Sequence, residues 1–386
     1  MLTSRTLPSL LLLCVSLTGP LLAATPEQTQ ALQTLRAVGP KGVGHAPAMA
    51  AWKIVAAMPA SELPAVLAAF DGATPLAENW LRGAVETIAQ RQTNGGAKLP
   101  VTALEAFLND TQHAPRGRRL AYELIAAVDN DAKQRLIPPL LNDPSLELRR
   151  DAVAMKIDVA EKAIDNSDAE LAIKTYRQAF NASRDLDQVK LTADKLKSLD
   201  EKVDLPAHFG FVMNWRLLGP FDNKETKGFD VAYPPETVGY NANATYDGVN
   251  GEIKWLEHST VDDYGVVDLA KALDKHKGAI VYCFAKFDSE AAREVQLRLG
   301  SPNANKLWVN GELVFANNVY HAGNNVDQYI GTAKLKQGTN TILLKIAQNE
   351  QKEPWAQDWS FQLRICDVVG TAVLAPGRAA NKTAAK

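Results

Sequence analysis

The chain has 386 residues, 46% hydrophobic and 22% charged, with a formal net charge of −2. That is the balance of a folded protein of about two ordinary domains. The first 200 residues carry 22 basic and 22 acidic side chains and the remainder 20 and 22, so neither half has the cationic excess that favours nucleic acid or an anionic membrane.

The N-terminus reads as an export leader. Arg5 supplies the positive charge, "LPSLLLLCVSL" the apolar stretch, and "GPLLAA" the small residues of a cleavage site after Ala23 or Ala24. Gly19-Pro20 interrupts the run, which is too short to span a bilayer. Cys14 follows Leu13 and does not suit a lipid-anchor cysteine. The expectation is a leader over 1–24 and an exported, periplasmic or secreted protein with no membrane span.

From 25 to 204 the pattern is helical. Thr25-Pro26-Glu27 reads as an N-cap, a first-turn proline and a first-turn acid, and Thr74-Pro75 repeats the device. Thr102 and Glu105 have the spacing of a capping box. Three segments, "LRGAVETIA", "RRLAYELIA" and "RRDAVAMKI", align on Arg82, Arg119 and Arg150, each followed by a spacer, Ala and an apolar residue. Such a recurrence predicts stacked helical hairpins that bury their apolar faces on one another. The arginines are expected to cap helices and pair between layers. Residues 168–201 continue as one more helix pair.

The texture changes near Pro206. Short alternating segments such as "VQLRLGS" and "WSFQLRI", with Gly, Asn and Pro between them, predict an antiparallel β-sandwich over 207–370. Asn310-Gly311 is the strongest hairpin signal, because a type I′ turn needs positive φ at both central residues. Asp268 is expected to cap a short helix. Trp215, Trp308 and Trp359 are expected in the core. The tail, 371–386, lacks apolar periodicity and is expected to be disordered.

"RLIPPLLNDPSLELRRDAV" resembles a HEAT-type repeat, of the short kind also found in phycobilin lyases. The resemblance implies an α-solenoid that binds a protein partner. "WRLLGPFDN", "GFDVAYPPE" and "LRLGSPNANKLWVNGELVFANN" together resemble a galactose-binding-domain-like jelly roll, as in exported planctomycete-type bacterial proteins. Relatives commonly carry acidic residues and a glycine where this chain has Pro302-Asn303-Ala304-Asn305, which puts a metal site in doubt.

A sugar site needs an exposed aromatic surface beside planar polar groups. "NNVYHAGNN" and "EPWAQDW" supply them, and the candidate ligand-binding residues are Asn317, Asn318, Tyr320, His321, Trp355 and Asp358. No catalytic motif, metal-ligand spacing or cofactor motif stands out, and Asp262-Asp263 reads as a turn. No cofactor, metal or catalytic residue is therefore assigned. Past the leader only Cys283 and Cys366 remain, and export makes a disulfide between them an option. Cys366 is expected to face outward. The reading is a non-catalytic exported binding or scaffold protein, its helices for a protein partner and its sandwich for a glycan or second protein. A carbohydrate-active enzyme or its accessory subunit, and a purely structural cell-envelope protein, are the alternatives.

Overall fold

The computed structural model describes residues 25–378. The expected leader and residues 379–386 lie outside them. Helices come first: α1 (Pro26–Arg36), α2 (His45–Ala56), α3 (Leu63–Ala68), α4 (Pro75–Asn94), α5 (Val101–Asn109), α6 (Pro115–Ala126), α7 (Ala132–Leu136), α8 (Leu146–Asp165), α9 (Ala169–Ala182), α10 (Leu186–Ser198) and α11 (Leu205–Phe209). Two compact units divide the chain between Arg135 and Leu136. The division falls earlier than the change from helix to strand, so α8 to α11 belong to the same unit as the sheets.

In the first unit α1 packs on α2, α2 and α3 on α4, and α5 on α6. Thr25 makes the full reciprocal cap with Gln28, and the Thr74 hydroxyl accepts from the Ala77 amide. Thr102 does not cap: α5 starts one residue before it, behind Pro100, with no side-chain cap. The repeat arginine Arg82 joins α4 to α6 through Glu123 at 2.8 Å. Arg150 on α8 does the same with Asp187 on α10, in the second unit.

The strands of the second unit are β1 (Asn214–Asp222), β2 (Thr245–Gly248), β3 (Gly251–Lys254), β4 (Leu256–Ser259), β5 (Val267–Asp268), β6 (Ala279–Ser289), β7 (Arg293–Gly300), β8 (Ala304–Val309), β9 (Glu312–Asn317), β10 (Tyr329–Leu335), β11 (Gly338–Gln348) and β12 (Ser360–Cys366). Short helices α12 (Pro234–Thr237) and α13 (Leu269–Ala272) interrupt them, the second capped by Asp268 as expected. One sheet runs β4-β1-β6-β11-β8-β9, another β10-β7-β12-β5, and β2-β3 form a hairpin. All pairings are antiparallel. The turn at Asn310 and Gly311 has φ of 51° and 84°, the left-handed pair that its sequence demands.

The two larger sheets share one core. Trp215, Val281, Leu307 and Leu344 from one meet Leu297 and Phe361 from the other. A second core fills the space between α8, α9, α10 and α11, where Tyr176, Phe180, Leu196, Phe209 and Phe211 are buried. Phe211 bridges to Arg364 on β12, tying that helical layer to the smaller sheet. At the junction Asp327 receives Arg298 at 2.8 Å and also binds Arg364. Burial pushes Asp327 up, yet the two guanidiniums outweigh it and hold the carboxyl below its usual range.

Part of the larger sheet's other face is buried too. There Leu218, Ile280 and Tyr282 pack against Phe221, Phe229 and Trp255, most of it contributed by the connection between β1 and β4. This explains the unbroken apolar run "AIVYCFAKF": a strand covered on both faces has no polar side to show. Lys345 points into this cover and is fully buried. Its ammonium donates to the carbonyls of Phe229 and Val231 and to Glu236, at 2.8 to 2.9 Å. Burial lowers its pKa, and Glu236 opposes that shift.

Three further expectations are corrected. Trp308 is only half-buried and lies on the outer face of the larger sheet. Its neighbours Leu307 and Val309 are the core residues, and period-2 alternation turns the residue between them the other way. Cys283 and Cys366 are free and both buried. Cys283 sits in the core between the sheets, whereas Ile365 occupies that core on β12, so Cys366 points to the opposite side of its sheet. Cys366 does turn away from the core, but it is covered rather than exposed, with Ala372 bridged beside it. The start of the expected disordered tail is also packed: Val373 is buried, and Arg378 donates to the Phe211 carbonyl at 2.8 Å.

Burial raises both thiols, so neither Cys283 nor Cys366 is expected to react with a thiol reagent until denaturant opens the fold. Rapid labelling of either in native buffer, followed by peptide mapping, would contradict this burial. His208 supplies a second check. It is packed on Phe180 and its Nε2 donates to the Ser183 carbonyl; burial, then Arg184, push it down to about 3 from 6.5. Between those values the unfolded chain binds a proton that the folded one refuses. Stability is therefore expected to fall as pH drops from 6.5 towards 3, and His208→Gln to flatten that slope in urea melts at several pH values.

Candidate functional site

The loops following β1, β9 and β11 meet at one end of the sheets, and three of the six candidate residues come together there. Tyr320 is half-buried, and its hydroxyl accepts from Asn223 Nδ2 at 3.1 Å. Asn223 is itself fully buried and also donates to the Gln348 carbonyl, so it clamps the three loops to one another. Burial raises the Tyr320 phenol, which stays neutral, while the bond from Asn223 works against the shift. The next residue, His321, takes a left-handed φ of 59° and turns its ring towards the loop after β11. Its Nε2 lies 3.0 Å from Asn349 Oδ1 and so carries the proton.

The His321 ring meets Trp355 edge to face, with centroids 5.0 Å apart and planes at 85°. Trp355 is 61% exposed. It lies on a short turn, Pro354–Ala356, whose Ala356 carbonyl accepts from Lys277 Nζ at 2.7 Å. Burial lowers the Lys277 pKa, with Glu353 and Asp358 opposing. The indole thus has His321 at one edge and an anchored turn beneath its backbone, yet presents its surface to water.

The other three candidates are placed differently. Asn317, at the end of β9, donates to Asn305 Oδ1 at 2.9 Å and serves the loop's own framework. Asn318 is exposed, and no bond joins it to the aromatic cluster. Asp358 is exposed at its carboxylate, while its carbonyl accepts from Asn303 Nδ2 at 3.1 Å. The "PNAN" turn is structural throughout: Asn303 and Asn305 are fully buried, and Asn303 Oδ1 also accepts from the Ser360 amide. Among the described residues no group of His, Cys, Asp and Glu could hold a metal ion. Asp262 closes a turn by accepting from the amides of Tyr264 and Val266, and its neighbour Asp263 pairs with Lys197.

Sequence reasoning missed Asn223, Lys277 and Asn349, which hold the candidates in place. Nothing in an isolated Asn or Lys marks it as a partner for a ring more than 25 positions away. The Gly278 amide, bonded to the Asn349 carbonyl at 2.9 Å, shows that only the strand pairing brings these segments together.

No protein-family model matches this chain, and no curated protein matches it. Several solved structures are similar over parts of it. An anti-sigma factor domain-containing protein from Clostridium clariflavum is 13% identical, with a TM-score of 0.26, over 43% of this chain and 45% of that one. A β-glucosidase from Kluyveromyces marxianus in complex with glucose is 12% identical, with a TM-score of 0.24, over 39% of this chain and 16% of that one. A family 35 carbohydrate-binding module from Clostridium thermocellum is 16% identical, with a TM-score of 0.16, over 23% of this chain and 71% of the module. The chain thus spans less than half the length of the first two. None of these likenesses carries a functional argument, which has to rest on the site itself.

Trp215, Trp255 and Trp359 are buried and Trp52, Trp80 and Trp308 half-buried, so Trp355, the most exposed of the seven, is expected to give the largest single share of the solvent-accessible fluorescence. Acrylamide quenching should weaken clearly in Trp355→Phe; unchanged quenching would contradict the exposure of this ring.

Proposed function

We propose that this protein is a non-catalytic binding and scaffold protein whose β-region holds a glycan and whose helices engage a protein partner. The observation that carries the reading is Trp355. It is a large aromatic surface left open to water, braced by His321, with the Asp358 carboxylate and Asn318 amide exposed on neighbouring loop residues. An indole face stacks well on the C–H face of a pyranose, and amides and carboxylates suit its hydroxyls. In this reading the paired sheets are a galactose-binding-like jelly roll, and the leader directs the chain to the periplasm or outside the cell. The helices form a HEAT-like solenoid, whose repeat arginines Arg82 and Arg150 brace neighbouring helices rather than act on a ligand.

The test is a glycan array followed by calorimetry on the mature protein, with a pull-down for the helical region. Trp355→Ala is expected to weaken glycan binding at least about tenfold, as loss of a central aromatic anchor does. Silence in both screens, alongside a measurable glycoside hydrolase activity, would overturn the proposal.

A further inference from the structure

The outer face of the larger sheet carries a second feature, separate from the loop-end aromatics. Strand register places Arg216, Phe284, Leu343, Trp308 and Leu313 in one row across β1, β6, β11, β8 and β9. At the usual strand spacing such a row is about 19 Å long. The cover described above stops part-way along it. Tyr240, the last aromatic of that cover, lies flat on Phe284, with centroids 4.0 Å apart and planes 2° from parallel. Beyond Tyr240 the floor is open, forming a groove of about 590 Å³ over Phe284, Leu343 and Trp308. A smaller cavity of about 230 Å³ continues past Tyr240 and Lys286 to Arg216.

The polar groups of this groove are mostly donors without partners. Among the described residues Lys286 Nζ, Trp308 Nε1, Thr341 Oγ1 and Tyr240 Oη make no hydrogen bond or ion pair with the protein. The carboxylate in the lining of the larger groove, Glu236, is already engaged by buried Lys345 and by the Tyr282 hydroxyl. Its charge is therefore matched from beneath, and Lys286 leaves the groove with an uncompensated positive charge. Aromatic and aliphatic side chains floor it, and donors ring it. A ligand that fits has flat apolar ring faces and is rich in acceptors, at least one of them anionic.

We propose that this groove binds an acidic oligosaccharide, with pyranose rings laid along Trp308 and Leu343 and a carboxylate at Lys286. An extended acidic peptide fits less well. Strands β1, β6, β11 and β8 are paired on both sides, so the floor offers no free backbone edge for main-chain capture. The proposal does not depend on the loop-end platform, which lies on other residues.

The experiment is calorimetric titration of the intact mature protein with tetragalacturonate, with an uncharged galactotetraose and with an acidic peptide, at low and at raised salt. Tetragalacturonate is expected to bind at least about tenfold more tightly than its neutral counterpart, and to lose affinity as salt rises. Trp308→Ala should abolish binding, and Lys286→Gln should bring the acidic sugar close to the neutral one, with thermal melts confirming that both variants fold. Equal affinity for the two sugars, or unaltered binding by Lys286→Gln, would overturn the acidic preference. Binding lost in Trp355→Ala but retained in Trp308→Ala would overturn the groove and leave the loop-end reading standing. Preference for the acidic peptide, or no binding of tetragalacturonate, would also overturn it.

Discussion

The larger sheet buries one face against the smaller sheet and part of the other beneath a long connection, and much of the second unit follows from that arrangement. One face is closed by the smaller sheet, through Trp215, Leu297, Phe361 and their neighbours. The other is closed in part by the long connection between β1 and β4, and here the central strand β11 carries Lys345. An ammonium without water is tolerated only when its donors are all met. Two carbonyls and Glu236 meet them, and all three belong to the connection. The charged contact therefore fixes where the cover lies. It brings Glu236 to the edge of the groove and brings the Tyr282 hydroxyl onto the same carboxylate.

The loop end is governed by a different economy. Buried amides replace charges there: Asn223, Asn303 and Asn305 are each fully enclosed, Asn223 and Asn303 donate to backbone carbonyls of other loops, and Asn305 accepts from Asn317. An amide offers both donor and acceptor without the desolvation cost of an ion. That lets three loops converge with Tyr320 partly buried beneath and Trp355 open above. The rigidity sits in the asparagines, and the aromatic surface that faces solvent rests on them.

These two regions show why binding features can be read from sequence at one place and escape at another. At the loop end the signal was local, since "NVYH" and "EPW" combine turn formers with aromatics. The candidates Tyr320, His321 and Trp355 accordingly meet, whereas Asn317 proved to be framework, because an Asn that braces a loop looks the same in sequence as one that awaits a ligand. The groove has no local signature. Its floor comes from β6, β11 and β8, three strands whose order in the sheet is not their order in the chain. Trp308 was hidden in plain view, since a tryptophan between a leucine and a valine looks like core until the alternation is followed through.

By itself the sequence determined the order of helices first and strands after, the caps at Thr25, Thr74 and Asp268, and the turn at Asn310-Gly311. Each depends on residues within a few positions of one another, where backbone φ, missing amide partners and side-chain reach leave little choice. Tertiary structure decided what depends on distant partners. It set the compact boundary at 135, with α8 to α11 joined to the sheets. It separated Cys283 from Cys366 by placing them on different sheets and different sides. It placed Ala372 beside Cys366 and bonded Arg378 to the Phe211 carbonyl. Burial and register belong to the packed whole, and a residue's own neighbours in sequence do not encode which surface will close over it.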